Sequence, residues 1–316
     1  MAKKKHVLKE DEEGGSSSKQ VSRADFPPDF VFGVATSSYQ DQRDDRASTH
    51  WFLVFRLKEV ARRVAGVQAY GTFLHTLKEK LLMEAMLMRQ WIITTDTRFL
   101  HPLYFGDYPK SMRERLGDQL PEFTEEDQEL LSSFMDFVGL NQYTSRLVSH
   151  AAESAEEGHF HKAQQIEKIV EWEDGEMIGE KAASDWLYVV PWGMRKVLNY
   201  IADAYSNLPI YITENGMDDE ENDTAPLPEM LDDKLRVRFY KGYLAAVAQA
   251  INDGVDVRGY FAWSLLDNFE WSHGYTKRFG LVYVDYKNGL TRHPKSSAMW
   301  FKQFLKGGGS NKDNEE

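Results

Sequence analysis

The sequence predicts an α/β fold built on a parallel sheet, and three observations predict it. Apolar, β-favouring runs recur at 29–40, 136–144, 209–216 and 257–263, and each closes on polar or aromatic residues. Helical periodicity separates the later runs, with Met194, Val197, Leu198, Ile201 and Tyr205 on one stripe and Phe239, Tyr243, Val247 and Ile251 on another. Strand and helix therefore alternate through the second half, which is the pattern of parallel βα units. Chemistry collects at the C-terminal strand ends of such sheets, so the last residues of each run are the candidates for function. With 316 residues the chain is long enough for one barrel-sized domain or two smaller ones.

Taken in order, residues 1–22 are polar, Ser/Lys/Glu-rich and aperiodic, and predict a disordered tail. The run from Asp29 predicts a short strand ending near Gln40, whose planar amide can meet a hydroxyl-rich ligand. Residues 41–98 differ in character. Leu74, Leu77, Leu81, Leu82, Ala85 and Met88 fall at helical spacing, and no strand signal stands out. Ser111 to Leu116 predicts a short helix, and Thr124-Glu-Glu-Asp127 predicts a capped helix start. The next strand ends on Asn141 and Tyr143. Residues 151–181 read as a charged surface loop with some helix, and Pro191 opens the helix that follows.

Pro209-Ile-Tyr-Ile-Thr-Glu-Asn-Gly216 is a buried strand stopped by an Asn-Gly turn just past Glu214. Asp232-Asp233 can cap the next helix, which Gly254 stops. The last strand closes on Trp263 and continues into an aromatic and acidic stretch. Residues 279–286 are extended, Lys287-Asn288-Gly289 is a turn, and Pro294 opens a final helix carrying Ala298, Phe301 and Phe304. Residues 307–316 predict a second disordered tail.

Composition excludes several functions. A net charge of -12 argues against nucleic acid, whose phosphates call for a basic surface. With no cysteine there is neither a disulfide nor a thiolate metal site. Lys3-Lys4-Lys5 is not followed by the apolar region of a signal peptide, and no apolar run approaches ~18 residues. The expectation is a soluble cytoplasmic protein that does not act at a membrane. His101, His150, His159 and His161 form no convincing metal constellation, Asn222-Asp-Thr224 is a sequon without a secretory context, and the acidic 216–223 run reads as a solvated loop.

The strand ends carry a consistent chemistry. An amide (Gln40), an amide and a phenol (Asn141, Tyr143), a carboxylate (Glu214), indoles (Trp263, Trp271) and a second carboxylate (Glu270) would share one rim. Planar acceptors suit sugar hydroxyls, and an aromatic platform suits the apolar face of the ring. Alone, Glu214 would more simply cap the next loop. Together, Tyr39-Gln40, Asn141-Gln-Tyr-Thr144, Tyr211-Ile-Thr-Glu-Asn-Gly216 and Trp263-Ser-Leu-Leu-Asp-Asn-Phe-Glu-Trp271 resemble glycoside hydrolase family 1, and the cytosolic-type plant β-glucosidases most of all.

The resemblance covers residues 23–40 and 99–306. It implies a (β/α)8 barrel, here incomplete, with strands 1, 6, 7 and 8 retained in one domain over 23–306. It implies β-glucosidase activity on a small β-glucoside with no cofactor and no metal. Glu214 matches the nucleophile and Tyr143 the phenol that hydrogen-bonds it. Gln40, Glu270 and Trp271 match contacts to glycone hydroxyls, Trp263 the platform under the ring, and Phe279 an aromatic wall, for which core packing is an equal reading. Asn141 sits beside Tyr143 among the substrate-binding positions.

The chain also departs from the family. The general acid/base comes from a Leu-Asn-Glu-Pro motif, and no Asn-Glu-Pro occurs here. The His-Trp-Asp motif and the Arg-bearing second-strand motif are absent as well. Read one base out of frame, Gly66 to Thr72 can be encoded as Gly-Ala-Ser-Ile-Trp-Asp, and Leu81 to Met86 as Ile-Asp-Gly-Ser-Asn, both of which resemble family segments. The expectation is that 41–98 is a frameshifted reading in an aberrantly spliced, truncated member. Three functions follow: a β-glucosidase by descent with doubtful turnover, a non-catalytic sugar- or partner-binding remnant, or a product that does not fold stably. Four contiguous strands also leave room for a homodimer of half-barrels.

Overall fold

The computed structural model describes residues 20–37, 95–132, 136–150, 166–222 and 224–307. Gln40, His159, His161, the 74–88 helix, the out-of-frame segments and nearly all of both predicted tails lie outside the described residues. Within them the chain runs β1 (Val31–Ala35), α1 (Thr95–Phe105), α2 (Lys110–Leu116), α3 (Glu125–Ser132) and β2 (Val138–Asn141). It continues through β3 (Leu147–His150), β4 (Ile166–Ile169), β5 (Glu180–Lys181), β6 (Tyr188–Val189), α4 (Pro191–Ala204), β7 (Ile210–Asn215), β8 (Asp219–Glu220) and α5 (Leu227–Leu231). It closes with α6 (Lys234–Asn252), β9 (Val257–Trp263), β10 (Lys277–Arg278), β11 (Val282–Asp285), β12 (Thr291–Pro294) and α7 (Ser296–Leu305).

The four predicted strands form one sheet in the order β1-β9-β7-β2, every pair parallel. That is the order 1-8-7-6 of neighbouring strands in a closed eight-stranded barrel. Alternation along the strands decides which face is covered. Leu140, Ile210, Ile212, Tyr260 and Ala262 point outward into a core with Met194, Val197, Leu198 and Ile201 of α4 and Phe239, Tyr243 and Val247 of α6. Each such aliphatic or aromatic side chain contributes about 1.5–3 kcal/mol. The opposite face is flat, because the Tyr211 ring lies over Gly259. A Cβ there would stand 2.5 Å from the ring, so only glycine lets the ring lie down. Gly139 and Asn141 on β2 are exposed.

The local signals behave as their chemistry requires. Thr124 and Asp127 close a capping box, each side chain accepting the other's backbone N–H at 3.0–3.1 Å. Pro191 stands in the first turn of α4, and Gly254 adopts φ +101 just beyond α6.

Several expectations need correction. Of 151–181 only 166–181 are described, and there strand β4, paired antiparallel with β3, and a bridge from Glu171 to Met177 replace a plain surface loop. Pro294 ends β12, and α7 starts at Ser296. Asp233 occupies the N-cap position of α6, yet its side chain makes no cap bond and turns to Arg236 and Ser297. The acidic 216–223 run is not a solvated loop: Met217 and Asp218 are buried, and Asp219–Glu220 pair with β10. Pro102 lies inside α1.

Candidate active site

The site grows from the end of β7. Pairing with both neighbours slips here: Asn141 lies opposite Glu214, and the register to β9 shifts between Ile212 and Asn215. Such bulges re-aim a side chain at a strand end. Glu214 is thereby presented to Tyr143, whose Oη donates to Glu214 Oε2 at 2.5 Å. That length is typical of a hydroxyl donating to an ionised carboxylate.

The next residue anchors the arrangement. Asn215 is fully buried; its Nδ2 donates to the Gln142 carbonyl at 2.6 Å, and its Oδ1 accepts from Tyr260 Oη at 2.5 Å. Gln142 N donates to the Glu214 carbonyl at 2.9 Å. The backbones on both sides of the Glu214–Tyr143 pair are therefore tied together. Gly216 then passes so close to the Trp263 carbonyl that any Cβ would collide with it. This contact draws the end of β7 against the end of β9.

Around the pair stand aromatic rings. Phe279, 4% exposed, packs in the core and meets Tyr143 edge-on at 6.0 Å. Trp186 meets Tyr143 from another side at 5.9 Å, also edge-on. The sequence reading missed Trp186, because it lies in a short turn between β5 and β6 rather than at a strand end. Tyr243 Oη donates to the Tyr143 carbonyl at 3.1 Å. Trp263 is buried at the end of β9, and the Trp263–Ser264 peptide is cis.

From Trp263 the chain enters the 264–271 loop. Glu270 is buried at its far end, and a tight turn joins Glu270 N to the Gly274 carbonyl at 2.6 Å. Trp271 is 44% exposed with φ +52, a left-handed conformation that costs a non-glycine residue about 1–2 kcal/mol. Such strain concentrates at functional sites. Asn141 is not drawn to the pair: its Oδ1 accepts from Thr213 Oγ1 at 2.6 Å. His101 packs at a 45° tilt against Phe105, with ring centroids 4.4 Å apart.

Charge beneath the site is concentrated and buried. Arg236, wholly buried, pairs with Asp233 at 2.5 Å and Asp219 at 2.6 Å, and donates to the Met217 and Arg278 carbonyls. Burial acts to lower the Arg236 pKa, but Asp219 and Asp233 outweigh it and raise the value. Asp218 points the other way: burial lifts its pKa against the hydrogen bonds from Ser184.

A carboxylate held by a phenol at a parallel strand end, with Trp186 and Phe279 edge-on to that phenol, stands on four neighbouring strands of a barrel-type sheet. The sequence profile described as glycosyl hydrolase family 1 matches residues 75–310, and the chain belongs to that family. It is 65% identical over 219 residues to β-glucosidase 42 of Arabidopsis thaliana, covering 69% of this chain and 45% of that protein. It is 62% identical over 209 residues to β-glucosidase 4 of Oryza sativa subsp. japonica, covering 66% and 43%. A solved structure of a mutant rice Os3BGlu6 β-glucosidase, in a covalent complex with Glc from GA4GE, superposes with a TM-score of 0.62 at 44% identity, covering 66% of this chain and 44% of that one. The chain thus spans less than half the length of these relatives. No described helix is long and apolar enough to cross a membrane.

Proposed function

We propose that the chain acts on β-glucosides through a retaining glycosidase site in which Glu214 attacks the anomeric carbon. The observation that carries this reading is the 2.5 Å Tyr143–Glu214 hydrogen bond. Tyr143 favours the ionised, oriented carboxylate that a nucleophile must be. Trp263 serves as the platform under the glucose ring. Gln40, Glu270 and Trp271 hold its hydroxyls, with Asn141 beside them, and Phe279 walls the pocket. The rice relative whose structure holds Glc covalently supports the same class of intermediate. A partial-barrel domain over 23–306, a cytoplasmic setting and pairing of two chains as half-barrels belong to the same reading.

A retaining pair needs a second carboxylate about 5–5.5 Å from the first to act as acid and base. The chain contains no Asn-Glu-Pro motif to supply it. Without general acid catalysis a loss of about 10²–10⁴-fold is typical. An activated aryl glucoside, whose leaving group needs no proton, is therefore the substrate of choice. Incubation with a dinitrophenyl 2-deoxy-2-fluoro-β-glucoside and peptide mass spectrometry should find the glycosyl mass on Glu214. A chain that unfolds cooperatively yet carries no label on Glu214 would overturn the catalytic reading. The missing acid favours a second reading, a sugar-binding remnant. In calorimetry, binding of a glucoside without turnover or label would support it.

A further inference from the structure

The loop between Trp263 and Trp271 carries three of the proposed sugar contacts and runs beside β11, to which Leu265, Leu266 and Asp267 are bonded through backbone groups. Its chief side-chain support is a buried carboxylate at its centre. The Asp267 side chain is 1% exposed and accepts four donors: Arg278 Nη1 at 2.8 Å, the Gly280 amide at 2.8 Å, Lys295 Nζ at 3.1 Å and the Val284 amide at 3.3 Å. Its own backbone is held too, with Asp267 N donating to the Val282 carbonyl at 3.1 Å and Tyr286 Oη donating to the Asp267 carbonyl at 2.6 Å.

The four donors come from one opposing wall. Arg278 and Gly280 flank Phe279, Val284 lies in β11, and Lys295 precedes α7. Gly280 lies so close to the Asp267 amide and the Leu266 carbonyl carbon that no side chain fits between them. On the loop side, Ser264 N donates to the Phe279 carbonyl at 3.1 Å, and Leu265 N to the Ala35 carbonyl at 3.1 Å at the end of β1. The two arms that would face a bound sugar, Trp263 with Glu270 and Trp271 on one and Phe279 on the other, are thus locked together at Asp267. The lock extends downward, since Arg236 donates to the Arg278 carbonyl at 2.7 Å.

We propose that Asp267 is a positioning residue, which sets the spacing between the hydroxyl-binding residues Glu270 and Trp271 and the Phe279 wall. Asp267 touches no reacting atom in this reading. The inference rests on the proposed β-glucoside site and assigns that site its means of recognising the sugar. Because all four partners are donors, Asp267→Asn must turn an NH2 toward at least one of them. The loop that carries the sugar contacts then loses a hydrogen bond to a charged group, a loss that corresponds to about 10²-fold.

The test uses the full chain and two variants. D267N removes the charge, and Tyr286→Phe removes only the hydroxyl that holds the Asp267 carbonyl. Each is titrated calorimetrically with methyl β-glucoside and its singly deoxygenated derivatives, and the Glu214 label is followed for its concentration dependence and limiting rate. The expected result is binding weakened about 100-fold in D267N and about fivefold in Y286F, the latter matching one ordinary hydrogen bond. The limiting labelling rate should change far less than its half-saturation. The deoxy derivative that costs the unmodified chain most should cost the variants least, because the hydroxyl contact it removes is already misplaced. A purely structural role would weaken every derivative alike.

If D267N lacks the near-ultraviolet circular dichroism of a packed fold, Y286F decides alone. An unmodified chain that binds while the folded variants bind equally, or with an unchanged deoxy pattern, overturns the role of Asp267 and leaves the site reading intact. A chain that binds no glucoside at all overturns the site reading and this inference with it.

Discussion

Replacing Tyr143 by Phe should slow the release of sugar from Glu214 more than its capture. The hydroxyl donates to Glu214 Oε2 at 2.5 Å, and the loss removes that bond while keeping the ring against Phe279 and Trp186. A hydrogen bond to a charged group contributes about 1.5–3 kcal/mol. It acts only on the ionised carboxylate. In the attack Glu214 gives up its charge, so losing the bond weakens orientation but raises nucleophilicity, and the two effects oppose. On release Glu214 regains the charge, and both effects disappear into one loss. If half the charge has returned at the transition state, about 0.75–1.5 kcal/mol is forfeited; if all of it has, about 1.5–3. Release should therefore slow by roughly four- to 150-fold. The assay follows reactivation of the 2-fluoroglucosyl adduct by azide, an acceptor that needs no general base, with mass spectrometry to show that the adduct is on Glu214. Reactivation of the Y143F adduct at or above the unmodified rate would refute the assigned role of the bond.

Three further outcomes follow from the packing and charge. Arg236→Met leaves Asp233 buried without its cation and should cost about 3–5 kcal/mol, or about 6–20 °C in a thermal melt; a loss under ~1 kcal/mol would mean the buried cluster does not stabilise the fold. Gly216→Ala should cost about 1–3 kcal/mol by forcing β7 away from the Trp263 carbonyl, and should slow Glu214 labelling, whereas normal stability and labelling would show that the close approach can relax. Asp218 is held above its unfolded pKa chiefly by burial, so its charged form costs stability above the folded pKa and nothing below the unfolded one. Asp218→Asn, which can still pair with Ser184, should therefore unfold at higher urea near pH 7, with the gap closing as the pH falls through the raised pKa; a constant gap across that range would exclude the carboxylate charge as the cause.

The sheet was legible because its strands carry their own pattern. Ile210, Ile212, Tyr260 and Ala262 alternate against neighbours that face the other way, and one buried face fixes such a register. Glu214, Tyr143 and Trp263 were legible for the same reason, since each stands at the end of such a run. What remained hidden depends on contacts distant in sequence. Trp186 reaches Tyr143 from a turn, Asp267 collects donors from 278 to 295, and Asp233 leaves its cap position to hold Ser297 in α7. No local period announces a residue whose partners lie 28 or 64 positions away. The bulge beside Glu214 was equally silent, because Thr-Glu-Asn-Gly reads as a turn and not as a slip in register.

The proposed mechanism divides between strands. Among the described residues, several groups that hold Glu214 in place come from the sheet: Tyr143 and Gln142 follow β2, Asn215 ends β7, and Tyr260 lies in β9. The proposed nucleophile side thus draws support from β2, β7 and β9. The acid side lacks its sequence counterpart, since a retaining pair needs a second carboxylate about 5–5.5 Å away and no Asn-Glu-Pro motif occurs in the chain. A site built this way retains its demand for a nucleophile and a shaped glycone pocket while losing its demand on the leaving group. Reactivity should then be graded by the acidity of the departing alcohol, steeply for poor leaving groups and weakly for dinitrophenol. A flat dependence on leaving-group pKa would show that a general acid is present after all.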